Sequence, residues 1–532
     1  MGLTHDIVGK HLINGTWVGE ANGAFEAMSP ATGATLLPKF AEAGAAEVDL
    51  ALLAARSAFD ASLDLPPRWP APLLDGIAAK VMDLGDALLE RGEAETALPR
   101  GRLTMERGRT VGQLKMFAEF VREGSWVDAT IDTPDPTRAP VPKPDIRRVL
   151  RPRGPVAVFG ASNFPFAFSA VGGDTASALA AGCPVIVKGH PSHPGTSELF
   201  AAAVLAALQE CKLPLGLFAL LQGRSNELGA TLVRHPAVTA VGFTGSQKAG
   251  RALFDLAAAR PSPIPAFAEM GSINPLVILP GAFEDRMARI AEGLSASVLL
   301  GGGQFCTKPG VVFAVGERSE SLVSRVGRVI GSTQPITMLS PSLRDNFMRR
   351  VRDLAYTDNV GNTDAPDESV GAAGTWAAMF QTDAATFQRE PTLREEVFGP
   401  SSLVVHCKDT AELLACLDVI QGSLTGTVHI GAGDEEATVR AVIRKLEEKV
   451  GRVIVNGYPT GVEVCDAMVH GGPYPATTDA STTSVGSSAI RRFARPVAFQ
   501  DTPDALLPPA LQNANPLGIE RTVNGKRTNQ PL

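Results

Sequence analysis

Apolar positions change rhythm along this chain, and the changes mark its elements. Over residues 41–63, 69–98 and 104–124 they recur at mixed three- and four-residue spacings, which predicts three helices. A proline-rich stretch, 133–144, then interrupts the pattern; it can neither continue a helix nor sit in a central strand, so an extended arm is expected. From Pro155 the rhythm becomes short unbroken apolar runs, 156–159, 185–187, 218–221 and 240–243, separated by alanine-rich helical stretches such as 197–211. Strands of that kind are buried on both faces of a parallel sheet. A second series, 276–279, 311–315, 402–406 and 453–455, predicts a second α/β unit. Residues 489–500 read as one more strand-forming piece. The Pro- and Asn-rich residues 503–532 read as a surface-hugging or loose tail.

Bulk properties narrow the class. At 532 residues the chain exceeds one ordinary core, and about 150 residues per domain suggests three domains. A net charge of −7 argues against a nucleic-acid or anionic-membrane surface, although a local cationic pocket can still hold an anionic substrate. The six cysteines, at 183, 211, 306, 407, 416 and 465, form no CxxC pair or Cys/His cluster, so neither a disulfide framework nor a metal site is expected. With no bilayer-length apolar run and no apolar leader, the expected location is the cytoplasm.

The chemistry centres on Cys306, in Gly301-Gly-Gly-Gln-Phe-Cys-Thr307, a glycine-flanked thiol suited to nucleophilic attack. Glu269, in Phe267-Ala-Glu-Met-Gly271, lies 37 positions earlier and is the candidate base. Phe243-Thr-Gly-Ser246 closes a strand and opens a helix, aiming backbone N–H groups at a pyrophosphate although no Gly-x-Gly-x-x-Gly fingerprint is present. His190, His193, His235 and His470 have no ligand spacing and read as structural or loop residues.

Taken with Asn163 in Gly160-Ala-Ser-Asn-Phe-Pro165, Lys188 after an apolar run, and Glu395-Glu-Val-Phe-Gly-Pro400, these motifs fall in an order that resembles the aldehyde dehydrogenase superfamily over residues 12–500. The resemblance implies two doubly wound parallel-sheet domains and a small bridging β-element used in oligomerisation. The corresponding division is a dinucleotide-binding domain of 1–133 and 151–265, a catalytic domain of 266–472, a bridging element of 134–150 and 473–502, and the tail. It also implies that Cys306 adds to an aldehyde, that the Asn163 amide and the Cys306 N–H hold the oxyanion, and that Glu269 activates the water that hydrolyses a thioester. The base is expected to have a raised pKa in a partly apolar pocket. Lys188, Gly245, Ser246, Glu396 and Phe398 would bind NAD(P), and the assembly would be a homodimer or homotetramer.

Two finer expectations follow. Pro191 stands where many NAD-preferring relatives carry a carboxylate, and Arg224 could meet a 2′-phosphate, so NADP is expected over NAD. The segments 106–118, 470–480 and 491–496 resemble the branch of NADP-preferring 2,5-dioxovalerate (α-ketoglutaric semialdehyde) dehydrogenases, which also includes a long-chain fatty aldehyde dehydrogenase. Arg109 would then bind the substrate carboxylate, with Phe164, Val171 and Phe305 lining the tunnel. Alternatives are another semialdehyde or long-chain aldehyde as substrate, a Cys–Glu–Lys amide hydrolase, and a catalytically silent protein of this fold.

Overall fold

The computed structural model describes residues 3–19, 22–362 and 370–532. Two seven-stranded sheets organise it. The first runs Ala266–Glu269, Ala240–Thr244, Val156–Phe159, Val185–Lys188, Phe218–Leu221, His11–Ile13, Thr16–Val18; the first five strands are parallel and the last two antiparallel. Its strands are apolar throughout because both faces are covered. Val156, Val158, Val185, Val187 and Leu220 enter one core, whereas Ala157, Phe159, Ile186, Ala219 and Phe243 enter the other. This alternation is the two-residue period of a strand expressed on two buried faces.

The second sheet runs Gly361–Asn362, Ala378–Asp383, Ser401–Cys407, Val311–Val315, Leu276–Ile278, Ser423–His429, Val450–Val455, all parallel except the first pair. Three strands here were absent from the apolar pattern, among them the short edge strand Gly361–Asn362. Ser423–His429 is fully buried yet polar in composition, and Ala378–Asp383 mixes apolar and polar positions.

The boundary between the units also differs from expectation. Strand Ala266–Glu269, expected to open the catalytic unit, completes the first sheet, so Glu269 belongs to that sheet while Cys306 lies in the loop that leads into strand Val311–Val315 of the second. The predicted helix over 69–98 is two helices, Pro70–Asp83 and Gly85–Thr96, separated where Gly85 takes a φ of +57°. Helix Arg100–Glu123 stops at Gly124, whose φ of +89° ends it in a left-handed cap.

A third, five-stranded sheet runs Ala494–Gln500, Ile146–Pro152, Thr130–Asp132, Arg521–Val523, Lys526–Thr528. The proline-rich arm is the loop between two of these strands, tied by an Asp135–Lys143 bridge. The tail is therefore neither loose nor merely surface-hugging. It supplies two strands, and the fully buried Arg521 donates to the carbonyls of Gln512 and Gln530. Residues 473–493 lie outside this sheet and instead reach the Glu269 strand through a Glu269–Thr477 bridge.

Candidate active site

The loop carrying Cys306 is fixed from several directions. Gly301, Gly302 and Gly303 all have φ between +60° and +67°, a left-handed turn that side chains resist. A Cβ on Gly303 would stand 2.2 Å from the Gly399 carbonyl oxygen, so this turn packs directly on the loop that follows Glu396. The buried Lys308 ammonium adds a second tie, donating to the carbonyls of Val397 (2.9 Å) and Ser401 (2.6 Å). From the other side Asn274 donates to the carbonyls of Cys306 (2.8 Å) and Lys308 (2.9 Å).

Cys306, Glu269 and His470 meet at the centre. His470 Nε2 lies 3.5 Å from Cys306 Sγ and 3.1 Å from Glu269 Oε1. The His470–Glu269 approach has ion-pair distance without hydrogen-bond alignment, whereas Glu269 Oε2 accepts from Ser484 Oγ at 2.7 Å. Reading His470 as a structural or loop histidine is thus corrected: it is a buried group between nucleophile and base. The three side chains bring ligand atoms within 4.8 Å of one another, so among the described residues the expectation of no metal meets one cluster whose atoms are spaced as an ion would need.

Electrostatics separates the roles. Burial, reinforced by the Glu269 charge and opposed by Arg109, pushes the Cys306 thiol well above its ordinary value. The group is a thiol at neutral pH and needs a proton acceptor, and His470 Nε2 is the nitrogen within reach. Burial pushes Glu269 upward too, but the neighbouring His470, Ser484 and Arg492 outweigh it and hold the carboxyl below its ordinary value. The expected raised pKa is therefore corrected. Its environment is polar rather than partly apolar, and the group is a carboxylate.

Asn163 Nδ2 donates to the Gln304 carbonyl at 3.0 Å, which sets its amide beside the nucleophile loop. Among the described residues nothing accepts from the Cys306 backbone N–H. These are the two donors expected to receive an oxyanion.

A cavity of about 550 Å³ opens on one side of Cys306. Asn163, Gly245, Ser246, Glu269, Glu396 and Phe398 line it, together with His190. Ser246 caps helix Gln247–Ala258, accepting from the Ala249 N–H, so the helix N-terminus faces this space. A cavity of this size with a helix N-terminus fits a dinucleotide, whose pyrophosphate is favoured there. Glu396 is raised to about 7 by burial, with the Lys308 ammonium opposing the rise. Glu395 turns outward to Arg350 at 3.0 Å.

Two expected cofactor residues stand beyond this cavity. Lys188 ends its strand, with burial lowering its ammonium to about 8. Arg224 is largely exposed and bound to Glu42, its Nε 2.9 Å from Oε1 and its backbone N 2.8 Å from Oε2. It is neither the free phosphate-binding cation nor the simple surface charge that the sequence allowed.

The opposite side of Cys306 is close-packed. Phe164 and Phe305 meet edge to face at 5.1 Å, and the Arg102 guanidinium lies over both rings at 4.5 and 4.8 Å. Arg109 lies over Phe164 and Phe168 at 5.7 and 5.2 Å; its Nε and Nη2 are buried without a hydrogen-bond partner. Buried donors are normally satisfied, so this pair points to an anion as their partner. Val171, expected to line the tunnel with Phe164 and Phe305, is 1% exposed and packs in the main core rather than in the cluster those two rings form. The buried Glu106 accepts from the N–H groups of Phe166 and Ala167 and pairs with Arg102 at 3.1 Å. Arg102, Glu106, His470 and Ser484 are neighbours of the site that sequence reasoning missed.

Two largely parallel sheets that meet at a half-buried thiol, with a dinucleotide-sized cavity beside it, fit a nicotinamide-dependent oxidoreductase that works through covalent catalysis. The chain belongs to the aldehyde dehydrogenase family, whose pattern matches residues 17–474. It is 47% identical to the alpha-ketoglutaric semialdehyde dehydrogenase 2 of Azospirillum brasilense, over 98% of this chain and 99% of that one. It is 42% identical to the alpha-ketoglutaric semialdehyde dehydrogenase of Acinetobacter baylyi over the same shares. Among solved structures, PnpE in complex with nicotinamide adenine dinucleotide superposes with a TM-score of 0.78 at 20% identity, covering 92% of this chain and 97% of that one.

Proposed function

We propose that this enzyme oxidises 2,5-dioxovalerate to 2-oxoglutarate with NAD(P). The observation that carries the substrate assignment is Arg109, whose buried Nε and Nη2 lack partners beside the Phe164–Phe305 pair. A short dicarboxylic semialdehyde supplies the missing carboxylate, while an alkyl chain would leave the guanidinium desolvated and unpaired. The near-full-length likeness to two enzymes named for this semialdehyde supports the same reading.

In the proposed cycle His470 takes the Cys306 proton as sulfur adds to the aldehyde. The same Nε2 faces Glu269, so after taking the proton the imidazolium rests beside the Glu269 carboxylate, which stays ionised, and the proton is released to solvent before the next turnover. The Asn163 amide and the Cys306 N–H hold the oxyanion, each donor contributing about 3 kcal/mol to the transition state. NAD(P), when bound in the cavity, supplies the hydride acceptor. Glu396 and Phe398 would hold its nicotinamide end, Gly245 and Ser246 its pyrophosphate, and Lys188 its adenosine ribose. Glu269 then deprotonates the water that hydrolyses the Cys306 thioester, a task suited to its carboxylate state.

NADP over NAD is the finer reading, supported by Pro191, where no carboxylate repels a 2′-phosphate; the tie of Arg224 to Glu42 works against it. A homodimer or homotetramer is supported by the open edge of the five-stranded sheet at Ala494–Gln500. No helix among the described residues is long and apolar enough to cross a membrane, and a cytoplasmic location is part of the proposal.

Initial rates with 2,5-dioxovalerate and with a long-chain aldehyde, each with NADP and NAD, test the assignment. Preference for the dioxo acid, lost in Arg109→Leu through a raised KM, is the expected result. An unchanged KM in that variant would refute the carboxylate site, and preference for the long-chain aldehyde would favour the alternative substrate.

A further inference from the structure

Among the described residues, Glu42 is the carboxylate that contacts both the backbone and the side chain of Arg224. It follows strand Thr35–Ala41 and is held in place by its own backbone: Glu42 N donates to the Gly23 carbonyl, and Ala43 N to that of Gln222. The side chain is 18% exposed and sits at the C-terminal end of strand Phe218–Leu221. Lys188 lies one strand over, paired in register with Leu221, and Glu42 is the neighbouring charge that acts on its ammonium. The Arg224 guanidinium is further confined over the Phe25 ring at 5.4 Å.

In doubly wound sheets the two cofactors are told apart at the strand ends, where a carboxylate accepts the ribose 2′-hydroxyl and a cation accepts the 2′-phosphate. Here both groups are present and bound to each other. The carboxylate neutralises the cation that a 2′-phosphate needs and places a negative charge beside that phosphate. It keeps lone pairs able to accept a hydroxyl.

We propose that Glu42 sets the NAD/NADP balance of this enzyme, accepting the ribose hydroxyls of NAD while restraining Arg224 from the 2′-phosphate of NADP. This rests on the reading of Lys188 and Arg224 as the adenosine-ribose end of the site. It accounts for a chain that lacks the usual carboxylate at Pro191: the acidic group comes from the N-terminal strand pair instead.

The test is Glu42→Gln in the full-length enzyme, with NADPH and NADH binding followed by fluorescence titration and kcat/KM measured for both oxidised cofactors. Losing one charge while keeping the side-chain shape is expected to raise the NADP-to-NAD ratio about tenfold in binding and in turnover, the scale of one hydrogen bond to a charged group. Glu42→Ser, which removes the charge without an amide, must move the ratio the same way. Arg224→Ala separates the two layers of the argument. If it leaves the ratio unchanged, the ribose-end reading fails. If it lowers NADP use while both Glu42 variants leave the ratio unchanged or lower, the Glu42 inference alone is overturned.

Discussion

The two sides of Cys306 are built on opposite principles. On the cofactor side a cavity of about 550 Å³ is already open, with its polar groups capped, bonded or facing the space. On the aldehyde side aromatic rings and guanidiniums fill the volume, and two buried donors of Arg109 have no partner. The difference bears on specificity. A large cofactor shared across many reactions suits a preformed cradle, whereas a small substrate is recognised by completing an unsatisfied polar cluster. Such a cluster favours the ligand that repairs it by more than contact area would.

The largest expected effect sits where the two sides join. Glu269→Gln should cut turnover about a thousandfold, the range of a lost general base. Rapid-mixing traces should keep a first-turnover burst of reduced cofactor; loss of the burst would mean that Glu269 serves the first half of the reaction. Arg109→Leu should raise the KM for 2,5-dioxovalerate about a hundredfold, as expected for ~2–3 kcal/mol of charge-assisted bonding. Cofactor Kd should not move, and a change in both would break the division between the sides.

Lys308→Met probes the cofactor side in the same way. Glu396 stands at about 7 with the Lys308 ammonium holding it down, so removing that cation should raise it further. At pH 7 more of Glu396 is then protonated, and cofactor binding should weaken about tenfold while recovering at higher pH. Titrations across pH 6–9 check the sign. His470→Gln removes the acceptor of the Cys306 proton, so turnover should also fall about a hundredfold; the smallest shift is the one read in the pH profile of the activity that remains. The imidazole is the leading influence that lowers Glu269, so its loss should raise that carboxyl. Because Glu269 acts deprotonated, the acid limb of the pH–kcat profile should move upward by a fraction of a unit to about one unit. A limb that moved downward would contradict the proposed pairing.

Legibility followed the same division. Cys306, Glu269, Asn163, Ser246 and Glu396 could be read because each sits in a short motif whose neighbours fix its backbone, such as the three glycines before Cys306. His470 could not: its partners lie 164 positions away at Cys306 and farther at Glu269, and a lone histidine before two glycines signals nothing locally. The Glu42–Arg224 contact spans 182 positions and was equally invisible. Strand Ser423–His429 escaped because its Ser and Thr residues interrupt the apolar run; Thr425 instead bonds Asn274, and so helps position the Cys306 loop. Arg109 was found through resemblance, but its unpartnered donors are a property of packing.

The five-stranded sheet also dictates an order of events during synthesis. Strand Ile146–Pro152 can pair at once with Thr130–Asp132, yet its other neighbour, Ala494–Gln500, is made near the end of the chain, as is Arg521–Val523. Until those residues leave the ribosome, both flanks of the nascent hairpin expose unpaired backbone, the condition under which strands associate with the wrong chain. Closure of this sheet is therefore a late step, and rapid overproduction of the protein should penalise its soluble yield before it affects the activity of what has folded.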